Sequence, residues 1–243
     1  VYKRQLNDFR RKSLNPEHPA QRGTAQNPDV FFQAKEASNK AYDAIPEVVE
    51  EYMNKVNEKI GSDYKLFNYY GAEDADEVII AMGSVCDTIS ETVDYLNANG
   101  RKVGLVKVRL YRPFSVKHLV AAIPSTVKKI SVLDRTKEPG SIGEPLYLDV
   151  VAALRDTEFA NVPVYTGRYG LGSKDTTPAQ IIAVFKNTEK KRFTIGINDD
   201  VTNLSLALDE NPDTTPAGIT SCKFWGLGAD GTVGANKLSL IHI

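Results

Sequence analysis

Short apolar runs alternate with amphipathic helical stretches from Glu77 onward, and this alternation constrains the fold more than any other feature. The first run covers residues 78–82, and a stretch follows whose apolar residues recur at three- and four-residue spacing: Val85, Ile89, Val93 and Leu96. Runs without polar alternation are typical of strands buried on both faces of a parallel sheet. The pattern therefore predicts an α/β fold with an open, doubly wound, mainly parallel sheet.

The same pattern continues to about residue 197. Three positions predict helix starts: Ser115 is a capping residue, and prolines stand in the first turn after Glu144 and after Thr177. The remaining strands are predicted at 103–110, 129–133, 162–165 and 193–197, and the remaining helices at 116–123, 145–154 and 178–187.

The segments on either side of this pattern are less regular. Residues 15–39 are rich in Pro, Asn and Gln and predict an extended segment. A long amphipathic helix is predicted at 45–60, with Pro46 near its first turn and Gly61 at its end. Residues 203–217, with two prolines and many polar side chains, predict a linker.

Ligands of such sheets gather at the carboxyl ends of the strands, so the loops there are candidate sites. Gly83-Ser84 presents backbone N–H groups to an anion or merely caps a helix. In the loop 134–143, Asp134 and Glu138 form an acid–base pair or, more economically, salt bridges with Arg135 or Lys137. The loop 167–177 has the glycines, cations and hydroxyls of an anion nest or of an interdomain contact.

A glycine-rich run near the carboxyl terminus is the fourth candidate. Gly226, Gly228 and Gly231 fit the GxGxxG spacing, in which absent side chains let backbone N–H groups approach a phosphate at a helix N-terminus. This motif alone is weak, and a tight strand-to-helix turn without a ligand explains it equally. A nicotinamide site would need an acidic residue about 20 positions further on, beyond the sequence.

The composition favours neither a nucleic-acid-binding protein nor a membrane, disulfide-rich or metal-binding one. The net charge of −1 gives no reason to expect binding to nucleic acid or to an anionic membrane. Cys86 and Cys222 are far apart, which indicates neither a disulfide framework nor a cysteine-ligated cluster. His18 and His118 do not complete a metal cluster or a triad. Without a run of about 20 apolar residues or a secretory signal, we expect a cytoplasmic protein.

The two termini carry sequence that we expect to be foreign. The terminal stretches 1–5 (VYKRQ) and 238–243 (LSLIHI) are translations of the two strands of one DNA segment, the transposase mosaic end of sequencing libraries. Coincidence at both ends is improbable, so both stretches are set aside from fold and function. Native sequence is then expected from Leu6 to Lys237, as a fragment that stops inside the glycine-rich unit.

Seven stretches in order along the chain closely resemble the pyruvate:ferredoxin (flavodoxin) oxidoreductase family. The resemblance covers about residues 6–237 and identifies an internal piece of a much longer enzyme. The stretches are RGTAQNPDVFFQAKEA from Arg22, YKLFNYYGAEDADEVIIAMGSVCDT from Tyr64, VKVRLYRPFSVKHL from Val106, VLDRTKEPGSIGEPLYLDV from Val132, GRYGLGSKDTTPA from Gly167, FTIGINDDVTNLSL from Phe193 and CKFWGLGADGTVGANK from Cys222.

The resemblance implies a domain organisation. Residues 6–60 correspond to the tail of the domain that binds the pyrimidine side of thiamine diphosphate. Residues 61–217 correspond to a domain like the carboxyl-terminal domain of transketolase, plus a linker, and residues 218–237 to the start of a 2-oxoacid oxidoreductase gamma-type domain. The second of these binds no cofactor in the family, so the charged loop residues are expected to support domain and dimer contacts: Arg135, Lys137, Glu138, Arg168 and Lys174.

The family's activity is likewise implied rather than derived. Its members decarboxylate pyruvate oxidatively with thiamine diphosphate and Mg²⁺, pass electrons through [4Fe-4S] clusters to ferredoxin or flavodoxin, and form acetyl-CoA. A homodimer is expected, no catalytic or metal-binding residue is assigned, and the fragment is expected to be inactive. Only a coenzyme A site is expected within this sequence, formed by the backbone N–H groups of Gly228, Ala229, Asp230, Gly231, Thr232 and Val233.

In that arrangement the carboxylate of Asp230 has to point away from the phosphates or bind them through water. Two other interpretations of the chain stay open. One is a separate subunit, either a transketolase-like chain of a 2-oxoacid dehydrogenase or a nicotinamide-binding domain. The other is a noncatalytic interaction module that keeps the fold.

Overall fold

The computed structural model describes residues 2–18, 26–197 and 201–242, and it divides the chain into two compact units, Val1–Tyr52 and Met53–Ile243. The first unit contains helices α1 (Tyr2–Arg11) and α2 (Pro28–Ala37) and the start of α3 (Asn39–Ile60). Neither α1 nor α2 buries any residue. This unit therefore has little core within the described residues.

Two predictions for this part of the chain are wrong. The segment 15–39 is not simply extended, because α2 begins directly after Asn27, with Pro28 at its first position and Asp29 in its first turn. Those residues are a helix-start signal that the composition obscured. Helix α3 begins at Asn39, so Pro46 lies inside it and is its one buried residue. Residues 19–25, which include part of the stretch quoted from Arg22, lie outside the described residues.

The second unit is built around a six-stranded sheet in the order β1-β3-β2-β4-β5-β6. Its strands are β1 (Phe67–Gly71), β2 (Glu77–Ala81), β3 (Val103–Val108), β4 (Lys129–Asp134), β5 (Val164–Arg168) and β6 (Arg192–Thr194). All neighbouring pairs are parallel except β1 with β3, which is antiparallel. The predicted mainly parallel sheet is confirmed.

Helices cover both faces of this sheet. They are α4 (Val85–Ala98), α5 (Val116–Ala122), α6 (Pro145–Leu154) and α7 (Pro178–Lys186), and α8 (Thr232–His242) follows near the terminus. Helix α4 contacts α7 on one face, and α5 contacts α6 on the other. The core on the α4 side includes the apolar stripe that the sequence predicted, from Val85 to Leu96. The doubly wound arrangement is therefore confirmed.

Strand β1 was not predicted. Its aromatic residues do not alternate with polar ones, and Asn68 within it is only 4% exposed. The Asn68 amide donates to the nearby Asp63 carbonyl (2.6 Å) and accepts from Arg109 Nε (2.8 Å), a partner on the distant segment that follows β3. A strand that depends on such partners has no signal in its own periodicity.

The predicted linker is partly attached to the sheet. Thr194 forms a parallel bridge with Ser205, next to the outer edge of β6. Beyond residue 206 the chain has no further strand or helix until α8. Residues 204–206 thus extend the sheet, and the rest of the predicted linker has neither strand nor helix.

The strand order places two loops at a topological switch point. From β2 the chain passes to β3 on one side, and from β3 it crosses to β4 on the other side of β2. The carboxyl ends of β2 and β4 are therefore adjacent, and in open α/β sheets ligands bind in this crevice. The loops 82–84 and 135–143 follow these two strands.

Candidate functional site

Three of the predicted loops converge at the carboxyl edge of the sheet, as expected for parallel strands. The Tyr169 hydroxyl donates to the Met82 carbonyl (3.2 Å), which connects the loop after β5 to the loop after β2. Arg135 Nε donates to the Gly170 carbonyl (3.2 Å) and connects the loops after β4 and β5. Hydrogen bonds thus join the loops after β2, β4 and β5 along this edge.

Asp134, the last residue of β4, is a structural anchor at this edge. It is 3% exposed, and its carboxylate accepts from the backbone N–H groups of Leu146 (2.9 Å) and Tyr147 (3.2 Å), in the first turn of α6. Burial raises its pKa, while these two N–H groups oppose the rise. The side chain is thereby tied to a helix N-terminus. The expected salt bridge between Asp134 and a loop cation is therefore not the arrangement found.

Glu144 and Arg168 form a buried ion pair that sequence reasoning missed. Arg168 Nε lies 2.5 Å from Glu144 Oε1, and the two residues are 8% and 1% exposed. The other carboxylate oxygen, Oε2, accepts from the N–H of Glu138 (2.7 Å). Arg168 was expected to be one of the loop residues that support domain contacts, but its burial assigns it to the interior of this unit. The sequence offered one clue to this pair, which is the acidic Glu144 directly before Pro145 at the start of α6.

The first predicted anion-binding turn is open to solvent. Gly83 and Ser84 are exposed, and Gly83 has a φ of +80°, which an L-amino acid rarely adopts. Ser84 stands at the N-cap position of α4, but its side chain makes no capping hydrogen bond. The turn therefore lacks the side-chain hydrogen bond by which Ser84 would cap the helix.

The glycine-rich run is also exposed, and an internal carboxylate lies among its N–H groups. Asp230 accepts from the backbone N–H groups of Leu227 (2.9 Å) and Thr232 (2.9 Å) and from the Thr232 hydroxyl. These hydrogen bonds lower the pKa of Asp230 to about 2. The carboxylate therefore occupies the Thr232 N–H, which is one of the groups that the predicted coenzyme A site would offer to phosphates.

Among the described side chains, the thiols and imidazoles do not form a reactive cluster. Cys86 is buried in the core beneath α4, whereas Cys222 is exposed. His118 Nδ1 lies 2.6 Å from the Ser115 hydroxyl, so this pair closes the first turn of α5. Within residues 2–18, 26–197 and 201–242, no group of three or more His, Cys, Asp or Glu side chains could hold a metal ion.

Two family profiles match this chain. Residues 75–181 match a family profile described as pyruvate:ferredoxin oxidoreductase core domain II. Residues 1–54 match one described as pyruvate flavodoxin/ferredoxin oxidoreductase, thiamine diphosphate-binding. The chain is 59% identical to a pyruvate-flavodoxin oxidoreductase of Enterobacter agglomerans, over 237 residues and 96% of its own length.

The chain belongs to the pyruvate:ferredoxin oxidoreductase family. Another member, the pyruvate:ferredoxin oxidoreductase of Moorella thermoacetica, is 56% identical over 236 residues. The chain spans 20% of the length of each of these two relatives. A relative of Euglena gracilis named mitochondrial pyruvate dehydrogenase [NADP(+)] is 50% identical over 93% of this chain and 13% of its own. Similarity of this segment therefore extends across members named for different electron acceptors.

A solved structure is a more distant match. It is 2-oxoglutarate:ferredoxin oxidoreductase from Magnetococcus marinus, with 2-oxoglutarate, coenzyme A and succinyl-CoA bound. The sequence identity is 20% and the TM-score is 0.44, over 70% of this chain and 25% of that one. In the described part of our chain, no helix has the length and apolarity to cross a membrane.

Proposed function

We propose that this chain is part of an enzyme that oxidatively decarboxylates pyruvate to acetyl-CoA and CO₂ and passes the electrons to ferredoxin or flavodoxin. The observation that carries the proposal is the identity of 59% and 56% to relatives named for this reaction, over nearly the whole chain. No described feature favours a transketolase-like subunit of another dehydrogenase, a nicotinamide-binding domain or a noncatalytic module.

The cofactors of this reaction belong to the parent polypeptide. We assign thiamine diphosphate, Mg²⁺, [4Fe-4S] clusters and coenzyme A to it, and we propose that the 243-residue chain is inactive alone. Iron–sulfur clusters are held by groups of cysteine thiolates, and the chain contributes only Cys86, in the core, and Cys222, on the surface. Electron transfer would need residues outside this sequence.

The sheet unit has a scaffolding role in this proposal. The exposed loop residues Arg135, Lys137, Glu138 and Lys174 support contacts between domains or between the two subunits of a homodimer in the cytoplasm. The buried Glu144–Arg168 pair holds the loop 135–143 from inside, through the N–H of Glu138. A loop fixed from beneath loses little conformational entropy when a partner binds, which favours association.

Within this chain, we place coenzyme A at residues 228–233. The support is the glycine spacing before α8 and the positive φ of Gly228 (+115°) and Gly231 (+81°), since glycine-rich turns of this kind can bind anions through backbone N–H groups. Asp230 holds two of the nearby N–H groups. Phosphate binding therefore requires its carboxylate to leave them or to accept a bridging water.

The reaction is tested by recovering the whole gene across both termini and assaying the parent enzyme. We expect pyruvate- and coenzyme A-dependent reduction of ferredoxin or flavodoxin by the parent, and none by the 243-residue chain. Native start and stop codons next to Leu6 and Lys237, or a parent that does not oxidise pyruvate, would refute the proposed reaction.

The coenzyme A site is tested separately in the active parent enzyme. Gly231→Arg should raise the KM for coenzyme A about tenfold or more, which corresponds to about 1.4 kcal/mol, while the KM for pyruvate stays unchanged. Gly218→Arg is the matched control, because Gly218 also has positive φ (+88°) and open space around it. If both variants bind coenzyme A equally well, the site lies elsewhere.

A further inference from the structure

The edge segment, residues 203–210, follows β6 and was predicted to be part of a linker. We propose that it is a fixed strap on the sheet, fastened by Lys190, which covers the outer edge of β6 and determines where the following chain leaves this unit. The proposal is independent of the reaction proposed above. It rests on backbone pairing, a preorganised lysine and an apolar anchor.

Backbone hydrogen bonds pair the edge segment with β6. The Leu206 N–H donates to the Thr194 carbonyl (3.1 Å), and the Thr194 N–H donates to the Leu204 carbonyl (3.0 Å). The Ser205 hydroxyl adds a bond to the Ile197 carbonyl (2.9 Å). These contacts continue the sheet by one short parallel strand-like pairing, whereas a flexible linker would leave the same groups to water.

Lys190 fastens the segment from the side. Its ammonium Nζ donates to the carbonyls of Asn203 (3.0 Å) and Ser205 (2.8 Å), which lie on either side of Leu204. Hydrogen bonds from a charged donor are stronger than those between neutral groups. The lysine thus holds two carbonyl groups of the segment's backbone at one point.

The position of Lys190 is itself fixed by a buried amide. Asn187 is 9% exposed; its Oδ1 accepts from the Lys190 N–H (3.0 Å), and its Nδ2 donates to the Lys190 carbonyl (2.8 Å). Both backbone polar groups of the lysine are therefore held before its side chain reaches the strap. Such preorganisation reduces the entropy lost when the contact forms.

An apolar contact and an ion pair complete the attachment. Leu206 is partly buried and packs against the hydrophobic core that includes α4 and α7. Further along, Lys186 Nζ lies 2.7 Å from Glu210 Oε1, but the Lys186 side chain is 42% exposed, so this pair contributes little. Leu206 and Lys190 are therefore the two main fastenings.

The strap covers the edge of β6, which would otherwise be exposed. Strand β6 has only three residues, Arg192–Thr194, and an uncovered edge strand offers unpaired N–H and C=O groups to other chains. Covering the edge with a segment of the same chain protects it. It also fixes the direction in which residues after 210 begin.

Hydrogen–deuterium exchange of the 243-residue chain tests the strap. In the unsubstituted chain, the backbone amide of Leu206 should exchange at least about tenfold more slowly than an unstructured amide, because exchange requires local opening. Lys190→Met keeps the aliphatic stem but removes the ammonium, so residues 203–210 should exchange faster while β2 and β4 keep their protection. The matched control is Lys191→Met, at an exposed neighbour, and should change nothing in this segment.

The strap is refuted if Leu206 exchanges at the unstructured rate in the unsubstituted chain. It is also refuted as a lysine-fastened device if Lys190→Met leaves the exchange of 203–210 unchanged. Should Lys190→Met unfold the whole sheet, Leu206→Asn serves as the second variant. Faster exchange confined to 203–210 then supports the strap, and unchanged exchange there contradicts it.

Discussion

At the scale of single residues, the carboxyl edge depends on a buried pair of opposite charges. Glu144 neutralises Arg168 with one oxygen and holds the N–H of Glu138 with the other. Taking both charges out of water costs several kcal/mol, which their attraction offsets only while both partners are present. The pair therefore positions the loop 135–143 more than it stabilises the fold.

Removing one partner of the Glu144–Arg168 pair should lower the free energy of unfolding more than removing both. We expect Glu144→Leu to lower the free energy of unfolding by about 3–5 kcal/mol, because it leaves the Arg168 guanidinium buried without its carboxylate. The double variant Glu144→Leu with Arg168→Met should lose less than the single one. Urea titration followed by circular dichroism measures both, with the exposed Glu138→Ala as the control. A double variant less stable than Glu144→Leu would contradict this explanation.

The two thiols should differ sharply in reactivity. Burial raises the pKa of Cys86 to about 11, so its reactive thiolate is scarce at pH 8, whereas Cys222 is exposed. We expect a disulfide reagent to label one thiol per native chain and both in denaturant. Cys222→Ser should abolish the native reaction. Rapid labelling of Cys86 in the folded chain would show that the α4 face opens.

The same thiol gives stability a defined dependence on alkaline pH. Its ordinary pKa of 9.0 is raised in the folded chain, so below pH 9 both states carry the neutral thiol and its contribution is fully present. Between pH 9 and about 11 the unfolded state loses this proton first, so stability falls as the pH rises. Cys86→Ala should flatten this part of a urea-midpoint profile compared with the unsubstituted chain.

At the scale of elements, the strands lie close enough for single glycines to matter. A Cβ at Gly167 in β5 would lie 2.3 Å from the Phe193 ring and 2.6 Å from a methyl group of Leu133. Both neighbours are fully buried and have little room to move. Gly167 is therefore a packing requirement of the pairing between β4, β5 and β6.

Gly167→Ala should lower the free energy of unfolding by about 1–3 kcal/mol through overpacking. Gly234→Ala is the matched control, since Gly234 lies in α8 with open space around its Cβ position, where alanine favours a helix. Thermal unfolding compares the two. A neutral Gly167→Ala would mean that the sheet relaxes around the added methyl group.

Element prediction succeeded where local signals agreed and failed where distant partners decided. Helix α6 begins at Pro145 and ends at Leu154 as predicted, because its proline and apolar spacing are local. Strand β5 runs to Arg168 instead of ending at Tyr165, since pairing with β4 carries it further. Strand β1 exists through its pairing with β3 and the amide contacts of Asn68, neither of which its own sequence contains.

At the scale of the whole molecule, burial is uneven along the chain. Helices α1 and α2 bury no residue, and residues 217–230 are exposed throughout. The buried residues concentrate in the sheet and its four covering helices. Local stability should follow the same distribution.

Brief trypsin digestion should therefore remove both terminal regions first and leave a resistant core containing residues 67–197. The basic residues inside it, such as Arg101 and Lys129, are protected because cleavage there requires the sheet to open. Mass spectrometry of the early products identifies the cut sites, and digestion in urea is the control. Early cleavage after Arg101 or Lys129 would contradict a single cooperative sheet unit.

The sequence by itself determined the fold class and family of this chain. Apolar periodicity, capping residues and prolines act over a few positions, so they specify helices and parallel strands without any knowledge of the whole. The quoted motifs pointed to pyruvate:ferredoxin oxidoreductase, and the comparisons show that family. Periodicity, capping residues and motifs can all be recognised along the sequence without knowing which distant residues meet.

Only the tertiary structure decided which charges are buried and which loops are tied together. Glu144 and Arg168 are 24 positions apart and meet because β4, α6 and β5 bring them to one edge. Lys190 reaches the carbonyl of Ser205 across 15 positions, which turned an expected linker into a strap. Such contacts depend on chain crossings and strand order, so the physical reason that the sequence did not reveal them is their nonlocality.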